Sequence, residues 1–274
     1  MKPEFGNEFR SGGYSGRISP DWDTPEVRAA IADFRVLAGD PKARVLLDSR
    51  NVVTSIVLPA GARGEIPAVL KSFGARGLKR LKTLLVPSKA RKAWRGAQAL
   101  VERGVPTAAP IAYWESRRGG AVSESYFLAA RLDDVREIRF LLRELQGDAL
   151  DRLLEQLAVF LGQCHALGIL HRDLSDGNIL VKDAGSGRYG FYLLDTNRVR
   201  TRRRLGRRSR VKNLVRLGIP AGKQGLFLAA YGGPRPLPKR LRRWYKFRKG
   251  WYAGWVALKK KLRLKTIARK LGLQ

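Results

Sequence analysis

Apolar and polar positions change period along the chain, and the changes mark its elements. DTPEVRAAIADFRVL predicts a helix, with Thr24 as N-cap and Pro25 at the first helical position. ARVLLD, NVVTSIVL and PAVLKSF then read as strands, the last two joined by the turn PAGARGE. Ser88 caps a second helix running to about Arg103, where Gly104 and Pro106 end it. SESYFLAARL reads as another strand. Leu150, Leu153, Leu154, Leu157, Phe160, Leu161 and Cys164 recur at helical spacing, predicting a long buried helix that runs up to ILHRDLSDGNILV. YGFYLLDTNRV reads as a strand and its exit, and the rest of the chain reads as mostly helical. No internal repeat is visible. Residues 1–20, rich in Gly, Ser and charge, are expected to be disordered. The predicted fold class is therefore α+β. A strand-rich N-terminal lobe over 21–130 is followed by a helical C-terminal lobe over 131–240 and a basic, aromatic helical extension over 241–274, with a seam near residues 128–134.

Bulk composition narrows the class only a little. The 274 residues suffice for one large domain or two lobes with a real core. A hydrophobic fraction of 44% argues against wholesale disorder. The single cysteine, Cys164, excludes an internal disulfide and a cysteine-rich zinc site, and fits a reducing compartment. MKPEFGNEFRSGG has no apolar core, so no secretory signal is expected, and no apolar run reaches the roughly 18 residues of a spanning helix. The expected location is cytoplasmic, with peripheral attachment to the inner membrane left open.

Charge changes the picture more. The formal net charge is +32, and it is unevenly placed. Residues 198–274 hold 26 Lys and Arg and no Asp or Glu, which leaves residues 1–197 at a net of only +6. Such a field attracts polyanions such as nucleic acid, acidic lipid headgroups or a phosphorylated glycan, without choosing among them.

The chemistry concentrates in a few positions. Phosphoryl transfer from ATP needs a base for the acceptor hydroxyl, ligands for Mg²⁺ and a cation on the donor phosphates. In HRDLSDGN, Asp173 can take the acceptor proton, and Asn178, five residues on, can ligate Mg²⁺. LLDTN puts Asp195 at a strand end, where a carboxylate can bridge metal and phosphate oxygens. AVLK puts Lys71 on a strand, where its ammonium can reach the donor phosphates. The HRDxxxxN spacing, with a strand Lys before it and a strand ending in Asp after it, is specific where HRD alone is not.

With these residues the chain resembles the protein-kinase-like superfamily. More narrowly it is similar to the bacterial lipopolysaccharide kinases, which phosphorylate Kdo or heptose of the inner core. The resemblance covers about residues 43–231 and rests on AVLK, SKARKAWRGAQALVERGVPTAAPIAYWE, HRDLSDGNILV and FYLLDTNRVR. It implies a two-lobed fold with ATP at the seam, Lys71 on the ATP phosphates, Asp173 as base, and Asn178 and Asp195 on Mg²⁺. Two features depart from the pattern. No GxGxxG is present, so phosphate cover either falls to Ser49, Arg50 and Asn51 or is loose. The helix Glu that usually pairs with the strand Lys is also missing. The face Ala93, Gly96, Ala97, Leu100 carries no acid, and Glu102 lies about 180° round an ideal helix from Ala93. A pseudokinase stays open on that account. His171 and Arg172 read as structural, Asp176 as a cap for the turn before Gly177, and Cys164 as core.

The basic third then bears on the acceptor. TRRRLGRRSR directly follows the metal-binding strand, where acceptors dock in a two-lobed kinase. Arg198, Arg202, Arg203, Arg204, Arg207 and Arg208 suit phosphates already present on an acceptor such as a phosphorylated inner-core glycolipid. Trp244, Phe247, Trp251, Trp255, Leu258 and Leu262 make an apolar stripe on a cationic helix, suited either to an anionic membrane surface or to packing on the C-terminal lobe. Nucleic acid could use the same field, but only charge speaks for it. The expected activity is ATP- and Mg²⁺-dependent phosphorylation of a sugar hydroxyl on a lipopolysaccharide-type glycolipid. An atypical Ser/Thr protein kinase and a non-catalytic kinase-fold scaffold are the alternatives.

Overall fold

The computed structural model describes residues 5–48, 51–74 and 77–261. The chain divides into two compact units, residues 1–135 with 192–200, and residues 136–191 with 201–274. The class is α+β, with a large antiparallel sheet in the first unit and mainly helices in the second.

The first unit opens with the hairpin β1 (Asn7–Ser11) and β2 (Tyr14–Ile18), followed by helices α1 (Pro25–Ala32) and α2 (Phe34–Gly39). Strands β3 (Arg44–Asp48), β4 (Asn51–Pro59) and β5 (Glu65–Gly74), helices α3 (Leu78–Leu81) and α4 (Lys89–Val101), and strands β6 (Pro110–Arg118) and β7 (Ala121–Ala130) complete its main body. The seven strands form one sheet in the order β1-β2-β6-β7-β5-β4-β3. Both predicted caps form. Thr24 Oγ1 accepts from the Val27 N–H, and Ser88 Oγ accepts from the Arg91 N–H at 3.0 Å. Alternation along the strands gives the sheet two apolar faces. Ile18, Ile56, Leu58, Leu70, Trp114 and Leu128 pack with Val27, Ile31 and Phe34 of α1 and α2. Phe73, Tyr113, Phe127 and Ala129 pack with Ala90, Ala93, Trp94 and Ala97 of α4.

The expectation of disorder over residues 1–20 is corrected here for residues 5–20, and residues 1–4 lie outside the described residues. β2 pairs antiparallel with β6, and Phe9 and Ile18 are buried. The glycines that resembled disorder serve the hairpin. Gly12 and Gly13 turn it with φ of 54° and 80°, and a Cβ on Gly16 would sit 1.9 Å from the Tyr113 carbonyl oxygen. The segment 192–200 groups with the first unit, and the terminal helix begins at Lys239 and has a packed face.

The second unit holds most of β8 (Val135–Glu137), α5 (Ile138–Glu144), the long α6 (Gly147–Ala166), β9 (Ile169–His171), β10 (Ile179–Asp183) and the first part of β11 (Tyr189–Leu193). Helices α7 (Arg207–Leu214), α8 (Gln224–Gly232) and α9 (Lys239–Lys261) come after them. The predicted apolar stripe of α6 is its buried face, including Cys164, whose thiol burial pushes up to about 12. β11 is fixed to α6 by Gln156, which donates to the Gly187 carbonyl and accepts from the Tyr189 N–H, and by Phe160 stacked on Phe191. No helix among the described residues is long and apolar enough to cross a membrane.

Candidate active site

Lys71 lies on the α4 side of β5, the same side as Phe73, and is paired across the sheet with Phe127 and Val53. Burial pushes its ammonium below the usual lysine range, and the Asp195 carboxylate acts in the opposite direction. Among the described residues Lys71 makes no ion pair within 4 Å, so Asp195 does at longer range what a helix Glu would do at contact. The structure also gives a physical reason for that missing Glu. Thr196 Oγ1 donates to the Ala93 carbonyl at 2.8 Å, and a Cβ on Gly96 would meet the Thr196 carbonyl oxygen at 2.0 Å. The backbone next to Asp195 therefore fills the α4 surface where an acidic side chain was expected.

Asp195 itself has φ of 50°, a left-handed conformation that Asp tolerates better than most residues. The strand leading to it is tied down, with the Leu193 N–H donating to the Pro106 carbonyl and Thr107 Oγ1 donating to the Leu193 carbonyl. Its carboxylate accepts from Asn197 Nδ2 at 2.8 Å and lies 3.8 Å from Arg198 Nε. Arg198 thus stands beside a candidate metal ligand. Asn51 Oδ1 accepts from Lys89 Nζ at 3.0 Å, while Ser49 and Arg50 lie outside the described residues.

The second unit holds the HRD loop. Asn178 Nδ2 donates to the Asp173 carbonyl at 2.7 Å and to Ser175 Oγ at 3.3 Å. This uses the amide N–H₂ inside the loop and leaves the side-chain carbonyl oxygen as the atom that could face a metal. Asp173 Oδ1 is ion-paired with Arg216 Nη1, a partner that no sequence motif announced. Asp176, expected to cap the turn before Gly177, instead reaches a distant segment, its Oδ1 accepting from the Gly218 N–H at 2.7 Å. Burial raises the Asp176 carboxyl, against that hydrogen bond and the positive charges of Lys249, Arg139 and Arg143. His171 is buried, in keeping with its structural reading. Its carbonyl accepts from Asn213 Nδ2, whose Oδ1 is 3.0 Å from His165 Nε2, and His165 Nδ1 is 2.6 Å from the Tyr231 hydroxyl. Burial pushes His165 down to about 4, so the ring is neutral near pH 7, donating from Nε2 and accepting at Nδ1.

Asp195 offers a carboxylate and Asn178 an amide oxygen, each the kind of donor that Mg²⁺ accepts, and no cluster of three or more His, Cys, Asp or Glu side chains exists among the described residues. Mg²⁺ takes one or two protein oxygens and completes its shell with water and substrate phosphates.

Arg204 and Arg207 line a groove of about 900 Å³ together with Arg210, Arg235, Leu205 and Tyr231. Arg207 and Arg208 line a smaller hollow beside Trp244. Arg202 and Arg203 are exposed, with the Arg202 N–H donating to the Gly168 carbonyl.

Lys71 provides a stability prediction. Lys71→Met removes a desolvated charge and nearly keeps the volume, so stability is expected to rise by about 1 kcal/mol, or roughly 2–4 °C in melting temperature. Calorimetry showing a lower melting temperature would mean that the charge is well compensated in the folded protein.

A strand-rich unit carrying Lys71 and Asp195, with a helical unit carrying an HRDxxxxN loop, defines a kinase-like protein. Residues 77–224 match the family model described as "Lipopolysaccharide kinase (Kdo/WaaP) family", more than half of the chain. The chain belongs to that family and is a kinase of the lipopolysaccharide type. The match takes in Asp173, Asn178 and Asp195 and begins just after Lys71. Among solved structures, "WaaP in complex with acyl carrier protein" superposes with a TM-score of 0.53 at 22% identity, over 84% of this chain and 92% of that one. That likeness is one of fold. No curated protein matches the chain.

Proposed function

We propose that the protein transfers the γ-phosphate of ATP, with Mg²⁺, to a sugar hydroxyl of a lipopolysaccharide inner-core glycolipid. The observation that carries this reading is the loop geometry, in which Asn178 bonds to the Asp173 backbone and the Asp173 carboxylate is tethered through one oxygen by Arg216. Asp173 is left with Oδ2 to accept the proton of the attacking hydroxyl. Asn178 Oδ1 and Asp195 would hold Mg²⁺, which when bound neutralises charge developing on the phosphate oxygens. Lys71, short of a contact partner, is suited to the donor phosphates, and Asn51 with Ser49 and Arg50 is assigned to their cover. Arg202, Arg203, Arg204, Arg207 and Arg208 would bind phosphates and carboxylates of the acceptor through their planar forks.

The acceptor is taken to be presented at an anionic membrane surface on the cytoplasmic side. Supporting this, α9 has two unlike faces. Leu241 and Tyr245 are buried, whereas Phe247 and Trp251 are each 65% exposed, with Trp255 and Leu258 also exposed. Lys259 lies over the Trp255 ring at 5.1 Å. Aromatic rings beside cations suit the headgroup layer. Leu262, expected on the same stripe, lies outside the described residues.

The test is transfer of labelled γ-phosphate from ATP to purified lipid A–core. Label is expected in the glycolipid, lost on chelation of Mg²⁺. Label appearing only on protein, or not at all, would overturn the assignment.

A further inference from the structure

Arg216 is 43 residues from Asp173 in sequence yet pairs with its carboxylate. Between Asp173 and Asn178 the loop reads LSDG, a stretch without a cation. Among the described residues no other hydrogen bond reaches the Asp173 carboxylate. Arg216 is in turn held from the far side. Its guanidinium lies over the Tyr252 ring of α9 at 6.0 Å, and Lys249 of the same helix donates through Nζ to the Leu217 carbonyl. Gly218 completes the strap, its N–H bonded to Asp176 in the catalytic loop, with no space for a Cβ against that carboxylate. Residues 216–218 are thereby fastened both to the HRD loop and to the C-terminal helix, all within the second unit.

We infer that Arg216 is the positioning residue for Asp173 and that α9 holds Arg216 in place, which makes the C-terminal helix part of the catalytic apparatus. A carboxylate on an open loop samples several rotamers. A guanidinium fixed at Oδ1 selects one of them and keeps Oδ2 available to the acceptor hydroxyl. Misplacement of a reacting group by about 1 Å can cost on the order of 10²-fold in rate. The inference rests on the phosphotransfer reading of Asp173.

Steady-state kinetics with ATP and lipid A–core test it. Arg216→Ala is expected to lower kcat by about 10²-fold, with KM for ATP and melting temperature unchanged. Arg216→Lys, which keeps the charge without the fork, is expected to fall between, and free guanidinium added to the Arg216→Ala protein to restore part of kcat. Tyr252→Ala is expected to lower kcat in the same direction by less. An unchanged kcat in Arg216→Ala, or a loss that neither Lys nor guanidinium recovers, would overturn the inference and leave the phosphotransfer reading standing. Should the Ala variant fail to fold, the Lys variant decides alone, by a lower kcat at unchanged melting temperature. No transfer by the wild type would remove the phosphotransfer reading and this inference with it.

Discussion

Asp173→Ala is expected to lower kcat for phosphate transfer by about 10³-fold, within the range that a general base supplies. Protein stability is expected to change little. The Asp173 side chain is 30% exposed, so its removal opens no cavity, and its partner Arg216 is 42% exposed. An ion pair so open to solvent contributes at most about 1 kcal/mol. Asp173→Asn keeps the shape and the hydrogen-bonding oxygen but not the basicity, so it is expected to be as inactive as the Ala variant. A single-turnover measurement in which either variant retains half the wild-type rate would show that another group takes the proton.

Gly96→Ala is expected to destabilise the first unit strongly. In an open helix the change would stabilise by about 1 kcal/mol, because Gly is a poor helix former. Here the new Cβ would lie 2.0 Å from the Thr196 carbonyl oxygen and 3.3 Å from Val199 Cβ. The nearer atom is backbone, tied to α4 by the Thr196 hydroxyl, and cannot swing aside as a flexible side chain would. Overpacking of this kind costs about 3 kcal/mol, or roughly 6–12 °C in melting temperature, and outweighs the propensity gain. Because Thr196 follows Asp195, the same displacement is expected to weaken the proposed phosphate transfer in whatever fraction stays folded. Melting curves for Gly96→Ala and for the exposed Gly250→Ala side by side separate the clash from helix propensity, since Gly250 has nothing within 4 Å of its added Cβ.

What the sequence disclosed was local in origin. Thr24 and Ser88 cap their helices because a cap is a contact between near neighbours. Lys71 was placed on a strand, and Asp173 and Asn178 in one loop, because their spacing is short and their flanks periodic. What escaped depends on residues far apart in the chain. Arg216 meets Asp173, Gly218 meets Asp176, and Thr196 meets Ala93, each across 42 residues or more. The N-terminal hairpin escaped for another reason. Its short strands bury only Phe9 and Ile18 fully, and its glycines carry the composition of a flexible tail while serving a turn and a close strand contact. The missing helix Glu was legible as an absence, but the occupant of its place was not.

The two unlike faces of α9 bear on how the enzyme meets its acceptor. With Tyr245 and Tyr252 turned to the body and Phe247 and Trp251 turned out, the helix can lie on a bilayer while keeping its hold on residues 216–218. Under the proposed membrane attachment, the kinase encounters its proposed glycolipid acceptor as a surface density and not as a bulk concentration. At constant total acceptor, its velocity is expected to fall as vesicles are diluted with inert anionic lipid, and to follow the mole fraction of acceptor in the membrane plane.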